Sequence, residues 1–488
     1  MKYNKQSRRQ FLKKTALTAG GLSAGAALPA YGNKLGTTYK QITGTSDEGE
    51  DLPRPTQAQI DWQDCEVGLI YHFDISVAVG RHESGNNAYR EVFDPKKYNP
   101  EKLDTDQWIE AAKAAGAKYA VFTATHFNGF LQWQSDAYPY GLKQARWKNG
   151  KGDIVGDFVN SCHKAGIKPG IYLSTHRNAY WELWDYYVNW GKGKGTKEQE
   201  KFNRAAEHML TELCSRYGPI VQIWFDAGTK IPSEGGPDVL PIFDKYQPHS
   251  VFYHCSKRAD HRWIGNESGY ANYPCWATMP HGEEQSHNAP SWRPILETGD
   301  PDGKIWSPGM VDVPLRGTNG IHNWFWAPGQ DKGVYSKDQL VKMYYDSVAR
   351  NCNFIVGEVV NPEGLVPEYD IQELAKFGDE IKRRFDKPVG KTTGVGRELT
   401  LELRKPQKID HVVIQEQLEH GERIRSYTVE GKNSGNNWEE LCSGISVGHK
   451  RIQRFDPRRL SAIRLKIDQA KATPVIRNLA VYHSGNKE

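Results

Sequence analysis

The sequence predicts an α/β fold, either a (β/α) barrel or a doubly wound sheet, followed by a small antiparallel β-sandwich. Three observations predict it. Continuous apolar runs recur between residues 57 and 385, as strands buried on both faces require. Segments with a 3.6-residue apolar period separate them. After Pro388 the texture changes to short runs in which apolar and polar residues alternate.

The strand candidates lie at 67–73, 118–124, 168–174, 221–226 and 250–254. The segment 201–217 places Phe202, Ala205, Ala206, Met209, Leu210 and Leu213 on one helical face and stops at Gly218. Residues 153–165 do the same with Ile154, Val155, Phe158, Val159 and Cys162, ending at Gly166. A third helix is expected at 104–115 and a late one at 337–350, before a strand at 353–359. Polar and aromatic residues gather just after the strands, where barrels carry their sites. The sandwich strands are expected at 399–403, 411–415, 425–431 and 462–467, with a turn at Asn433-Ser434-Gly435-Asn436. The domain reading is therefore 57–387 for the α/β unit and 388–488 for the sandwich, which serves as a buttress or binds carbohydrate.

The N-terminal thirty residues hold Lys2, Lys5, Arg8, Arg9, Lys13 and Lys14 and no acid. Arg8-Arg9 precedes Phe11-Leu12-Lys13, then a weakly apolar Ala/Gly run and a small-residue site near Ala30. This pattern reads as a twin-arginine export signal at 1–30, followed by a linker at 31–56, and implies a periplasmic protein. The apolar run is too short and Gly-rich for a good membrane span. Removing those six charges takes the formal net charge from +5 to −1, so no nucleic-acid footprint is expected. The seven cysteines lack CxxC pairing and imply no disulfide framework or zinc ribbon.

The strongest chemical signal is Val221-Gln222-Ile223-Trp224-Phe225-Asp226-Ala227-Gly228, an apolar strand ending in a carboxylate. At a barrel mouth Asp226 points into the cleft on the same face as Trp224, where a carboxylate can attack an anomeric carbon. A helix-capping role is the alternative. A partner carboxyl about 5 Å away is needed to protonate the leaving oxygen. Glu267, in Trp263-Ile264-Gly265-Asn266-Glu267, follows the next strand candidate, and its aromatic-rich loop is expected to raise its pKa by desolvation. His254, His261, His281 and His287 are loosely spaced without HExxH, so no catalytic metal is expected. Trp276, Trp292, Trp306, Trp324 and Trp326 either bind sugars beyond the cut bond or pack the long region 270–335.

Eight ordered motifs carry a resemblance. They are Gly68-Leu69-Ile70-Tyr71-His72-Phe73, Ala115-Gly116-Ala117-Lys118-Tyr119-Ala120, Thr123-Ala124-Thr125-His126-Phe127-Asn128-Gly129-Phe130, the run 147–153, the run 168–174, Trp224-Phe225-Asp226, the run 263–270 and the run 348–353. In this order they resemble glycoside hydrolase family 29, the α-L-fucosidases, over about residues 60–385. The resemblance implies a lone (β/α) barrel with a C-terminal β-sandwich, no cofactor or metal, and an oligosaccharide or glycan substrate. It implies a retaining double displacement with Asp226 as nucleophile and Glu267 as general acid/base. It also implies that His72, His126, Tyr172 and Trp224 line the terminal-sugar pocket, with Arg262 and Trp324 as further candidates.

The departures from the family pattern bear on the sugar. Phe127 and Asn128 stand where the family has His and Asp. Asp74 replaces a usual Gly, and Thr175-His176-Arg177 replaces a Pro-Trp-Asp-Arg run. Asp74 or Asn128 serves an extra hydroxyl at the sixth carbon, as in L-galactose, or is structural. An α-L-galactosidase and a catalytically inactive sugar-binding protein are therefore the competing readings.

Overall fold

The computed structural model describes residues 51–81, 90–280 and 293–485. The export-signal reading at 1–30, most of the linker, and His281, His287 and Trp292 lie outside the described residues.

Six of the strands form where the apolar runs lie. They are β1 (Val67–His72), β2 (Tyr119–Thr125), β3 (Lys168–Leu173), β4 (Gln222–Thr229), β5 (Val251–Cys255) and, late in the chain, a strand at Cys352–Val359. Between them come β6 (Arg262–Trp263), the small hairpin β7 (Thr278–Met279) and β8 (Ile305–Trp306), and β9 (Gly309–Pro314). The late strand is thus β10. Eight of these, all parallel, follow the order β5-β4-β3-β2-β1-β10-β9-β6. The ends β5 and β6 do not pair, so the barrel is nearly closed.

The two-residue side-chain period sorts each strand between two cores. Ile70, Tyr119, Val121, Tyr172, Trp224, Tyr253, Met310 and Ile355 fill the barrel interior. Leu69, Phe122, Ile171, Phe225, Phe252, Val311 and Phe354 face the surrounding helices. A side chain at Gly68 would sit 2.4 Å from the Tyr119 ring, so the missing Cβ lets that ring occupy the interior. The helix Gln57–Gln63 closes the N-terminal end, its Trp62 indole donating to Gln222 Oε1 at 2.6 Å.

The helices begin at side-chain caps. Asp104 caps Thr105–Ala114, and Asp153 caps Ile154–Ala165, which ends at the left-handed Gly166. Thr196 caps Lys197–Arg216, starting that helix four residues before the expected residue 201. The helix after Ser336 stops at Asp346, short of the expected residue 350, because Ser347 leaves helical geometry.

The C-terminal strands are β11 (Gly390–Val395), β12 (Glu398–Glu416), β13 (Ile424–Lys432), β14 (Trp438–Gly444), β15 (Arg451–Ala470) and β16 (Val475–Tyr482). They run antiparallel in the order β11-β16-β12-β15-β13-β14 around their own core. The runs expected at 399–403 and 411–415 are one long strand, with ladder breaks between Glu402 and Gln407 and between Ile409 and His411. This sheet docks at the N-terminal end of the barrel. Arg477 and His449 hold Asp64 at 2.9 and 2.8 Å, and Lys450 pairs with Glu66, all just before β1. That is the end opposite the C-terminal ends of the barrel strands.

Candidate active site

Asp226 stands on β4 one inward position beyond Trp224, and left-handed Ala227 and Gly228 turn the chain behind it. A Cβ on Gly228 would lie 2.7 Å from the His254 ring, so glycine there lets the next strand's imidazole approach. Tyr172, on β3 level with Trp224, donates its hydroxyl to Asp226 Oδ2 at 3.0 Å. His126 follows β2 and stacks on Tyr172 with ring centroids 5.4 Å apart. His72 ends β1, 6.0 Å from His126 and 5.1 Å from Trp324. Burial pushes His72 down to about 3 and His126 well below its usual value, so both imidazoles are neutral, suited to sugar hydroxyls rather than anions. Trp224 Nε1 is buried without an acceptor among the described residues, an indole N–H left for a ligand.

Glu267 lies in the loop after β6. His322 Nε2 stands 2.7 Å from its Oε2, and Trp324 Nε1 donates to the same oxygen at 3.1 Å. Trp324 fits because Gly357 on β10 has no Cβ, which would lie 2.3 Å from the indole. The expected rise in the Glu267 pKa is corrected here. Burial does raise it, but the hydrogen bonds from His322 and Trp324, with the charge of His322, outweigh burial, and the net shift is downward. Asp226 moves the other way: burial raises it, Tyr172 opposes, and the Glu267 charge raises it further. The two carboxyls therefore feel each other across the mouth.

A third carboxyl was not legible as part of the site. Asp312, inward on β9 and 4% exposed, accepts from Trp263 Nε1 at 2.8 Å. Its backbone oxygen accepts from Gly269 N at 3.2 Å. One residue thus ties both ends of the segment carrying Glu267. Burial, then the charge of Glu267, holds its carboxyl well above the usual range. The signal was an acid inside the apolar run Met310-Val311-Asp312-Val313, the same logic that singles out Asp226. His322 was also missed. It sits two residues before Trp324 and is brought to Glu267 only by the loop after β9.

Arg262 does not join the pocket. It is fully buried, and its guanidinium donates to Leu296 O at 2.9 Å, Ser307 O at 2.5 Å and Cys275 Sγ at 3.3 Å. A buried guanidinium needs such acceptors, the charge of Glu422 interacts with it, and here it braces the start of β6. Asp74 and Asn128 are likewise structural. Asp74 Oδ1 caps the turn at Ser76 N (2.9 Å), Asn128 Nδ2 donates to Asp74 Oδ2 at 2.5 Å, and Asn128 Oδ1 accepts from Phe130 N at 2.9 Å. Neither has a free oxygen aimed at an extra sugar hydroxyl. Among the loop tryptophans, Trp276 packs beneath Arg425 of the C-terminal sheet and Trp306 donates to Gln63, so both serve packing. The seven cysteines are free. Among the described residues no cluster of three or more metal-ligating side chains occurs, and no helix is long and apolar enough to cross a membrane.

Residues 59–384 match the family model for α-L-fucosidase, and residues 382–478 that for the F5/8 type C domain. Alpha-L-fucosidase 1 of Arabidopsis thaliana is 28% identical over 476 residues, covering 88% of each chain. A crystal structure of a proposed α-L-fucosidase from Bacteroides thetaiotaomicron VPI-5482 superposes with a TM-score of 0.85 at 44% identity, covering 88% of this chain and 99% of that one. A glycoside hydrolase 29 family member from an unknown rumen bacterium gives 0.74 at 26% identity, covering 90% and 78%. With its barrel, its ordered strand-end residues and two thirds of its length matched, the chain belongs to the α-L-fucosidase family, glycoside hydrolase family 29.

Proposed function

We propose that the protein is a periplasmic retaining exo-α-L-fucosidase that removes terminal α-L-fucosyl residues from oligosaccharides. The observation that carries this is the pairing of Asp226, fixed by Tyr172, with Glu267, fixed by His322 and Trp324, across one aromatic pocket. In the first step Asp226 attacks the anomeric carbon, the bond to the leaving oxygen breaks, and Glu267 gives that oxygen its proton. In the second step Glu267 takes a proton from water as the water oxygen attacks the same carbon and Asp226 leaves. Two inversions retain the configuration.

The hydrogen bonds that lower Glu267 oppose its role as the acid, so the bound substrate has to raise it. Glu267 keeps 41% of its side chain exposed. A bound aglycone covers that area and strengthens the burial effect, already its largest single influence and an upward one. The neutral imidazoles of His72 and His126 and the indole of Trp224 suit ring hydroxyls, and the aromatic faces suit the apolar sixth carbon of fucose.

Initial rates on the nitrophenyl α-L-fucoside and α-L-galactoside test the sugar, and a faster galactoside would overturn the choice. The anomer first seen by NMR tests the stereochemistry, with α expected. Asp226→Ala is expected to abolish turnover and to be rescued by azide as the inverted glycosyl azide. Full activity in that variant ends the assignment.

A further inference from the structure

The rim of the pocket beside β3 is built for a charge that a neutral sugar does not carry. Arg177 follows β3, and its guanidinium lies 5.2 Å from the Phe127 ring centroid and 4.1 Å from that of Trp184. Arg90 lies 4.4 Å from the same Trp184 ring and 5.4 Å from Trp190. Two guanidinium groups thus share one indole. Among the described residues neither forms an ion pair, and Asp185 is engaged by His176 at 3.1 Å. Arg177 Nε is buried with no acceptor among the described residues, and a buried N–H left open in this way calls for a partner.

The position ties this cation to the pocket. Phe127 stacks on His126 with centroids 4.2 Å apart. The charge of Arg177 acts on both His126 and Asp226. With the Phe127 and Trp184 rings against the guanidinium, its in-plane N–H donors form the binding edge. That edge matches the two oxygens of a carboxylate or sulfate. The segment holding Trp184 is stiffly set, with Glu182, Asp185, Tyr186, Asn189 and Trp190 all in left-handed geometry and Tyr186 donating to Ala227 O at 2.5 Å, directly behind Asp226.

We propose that Arg177, seated between Phe127 and Trp184 with Arg90 against the same indole, binds an anionic substituent of the glycan, a sulfate ester or a uronate carboxylate, beside the terminal-sugar pocket. This rests on the fucosidase reading above and names the substrate class within it. Arg90 and Trp190 extend the positive rim outward, so an anion-bearing sugar chain is steered toward the mouth.

Calorimetry on the full chain carrying Asp226→Asn, which leaves glycosides intact, tests the proposal. The ligands are methyl α-L-fucoside, its monosulfates and a fucosyl-glucuronate disaccharide. At least one anionic ligand is expected to bind about ten-fold or more tighter than the neutral fucoside at low salt, with the advantage shrinking at 0.5 M salt. The sulfate and uronate arms identify the source of the anion. Adding Arg177→Gln is expected to weaken the anionic ligand at least about five-fold more than the neutral one, and Arg177→Lys to restore part of the difference. Unchanged melting temperatures show that the variants are folded. Equal binding of neutral and anionic ligands, or an anion preference that survives Arg177→Gln, overturns the proposal. Hydrolysis of the nitrophenyl fucoside by the unmodified chain is read separately. A chain that prefers anions but cleaves no fucoside refutes only the fucosidase reading, and a chain that cleaves it with no anion preference refutes only this one.

Discussion

The hydroxyl of Tyr172 donates to Oδ2 of Asp226 at 3.0 Å, from a strand position level with Trp224. This bond lowers the Asp226 pKa against the burial that raises it. Tyr172→Phe is therefore expected to move the acid limb of kcat/KM to higher pH, since the nucleophile must be ionised. It is also expected to cost about ten-fold or more in rate, the scale of one hydrogen bond to a charged group. A pH–rate profile checks both, and an unmoved acid limb removes Tyr172 from this role.

His322 pulls the acid/base the other way from what an acid catalyst needs. Its hydrogen bond and charge lower Glu267. In His322→Ala the Glu267 pKa rises. Because Glu267 must carry a proton in the first step, activity then persists to higher pH and the alkaline limb shifts upward. A downward shift of that limb contradicts the assignment of Glu267 as the acid.

Asp312 offers a test of a carboxyl that burial pushes well above the usual range. Asn at this position keeps an oxygen to accept from Trp263 Nε1 and has no charge to lose. Asp312→Asn is expected to change activity little near neutral pH. Asp312→Ala removes the acceptor, costs about 1–3 kcal/mol in stability and loosens the loop carrying Glu267. Thermal melts with kinetics on both variants decide this. Equal damage from Asn and Ala would mean that Asp312 is ionised in the native protein.

The junction between barrel and C-terminal sheet predicts an acid-sensitive element. Burial alone would raise Glu66, but the Lys450 charge, assisted by Lys118, outweighs it and brings the pKa from 4.5 to about 2. A depressed carboxylate stabilises the fold above its unfolded pKa, and that contribution is lost as pH falls from 4.5 through about 2. Lys450→Met leaves Glu66 buried without its cation and is expected to cost about 3 kcal/mol. It is also expected to flatten the decline in melting temperature between pH 4.5 and 2. Calorimetric scans across that window measure both effects.

By itself the sequence determined the β-then-α order, the starts of the helices after Asp104 and Asp153, and the strand-end position of Asp226. These follow from information local in the chain: apolar runs, caps such as Asp153, and a two-residue side-chain period that sets Trp224 and Asp226 on one face. Only the tertiary structure decided the rest. β6 is two residues long and exists because β9 pairs with it. Arg262 left the pocket because backbone oxygens of Leu296 and Ser307, distant in sequence, surround it. Glu267 is tuned by His322, 55 residues away. The direction of the Glu267 shift reversed the local expectation, because desolvation and hydrogen bonding depend on neighbours that only the closing of the barrel assembles.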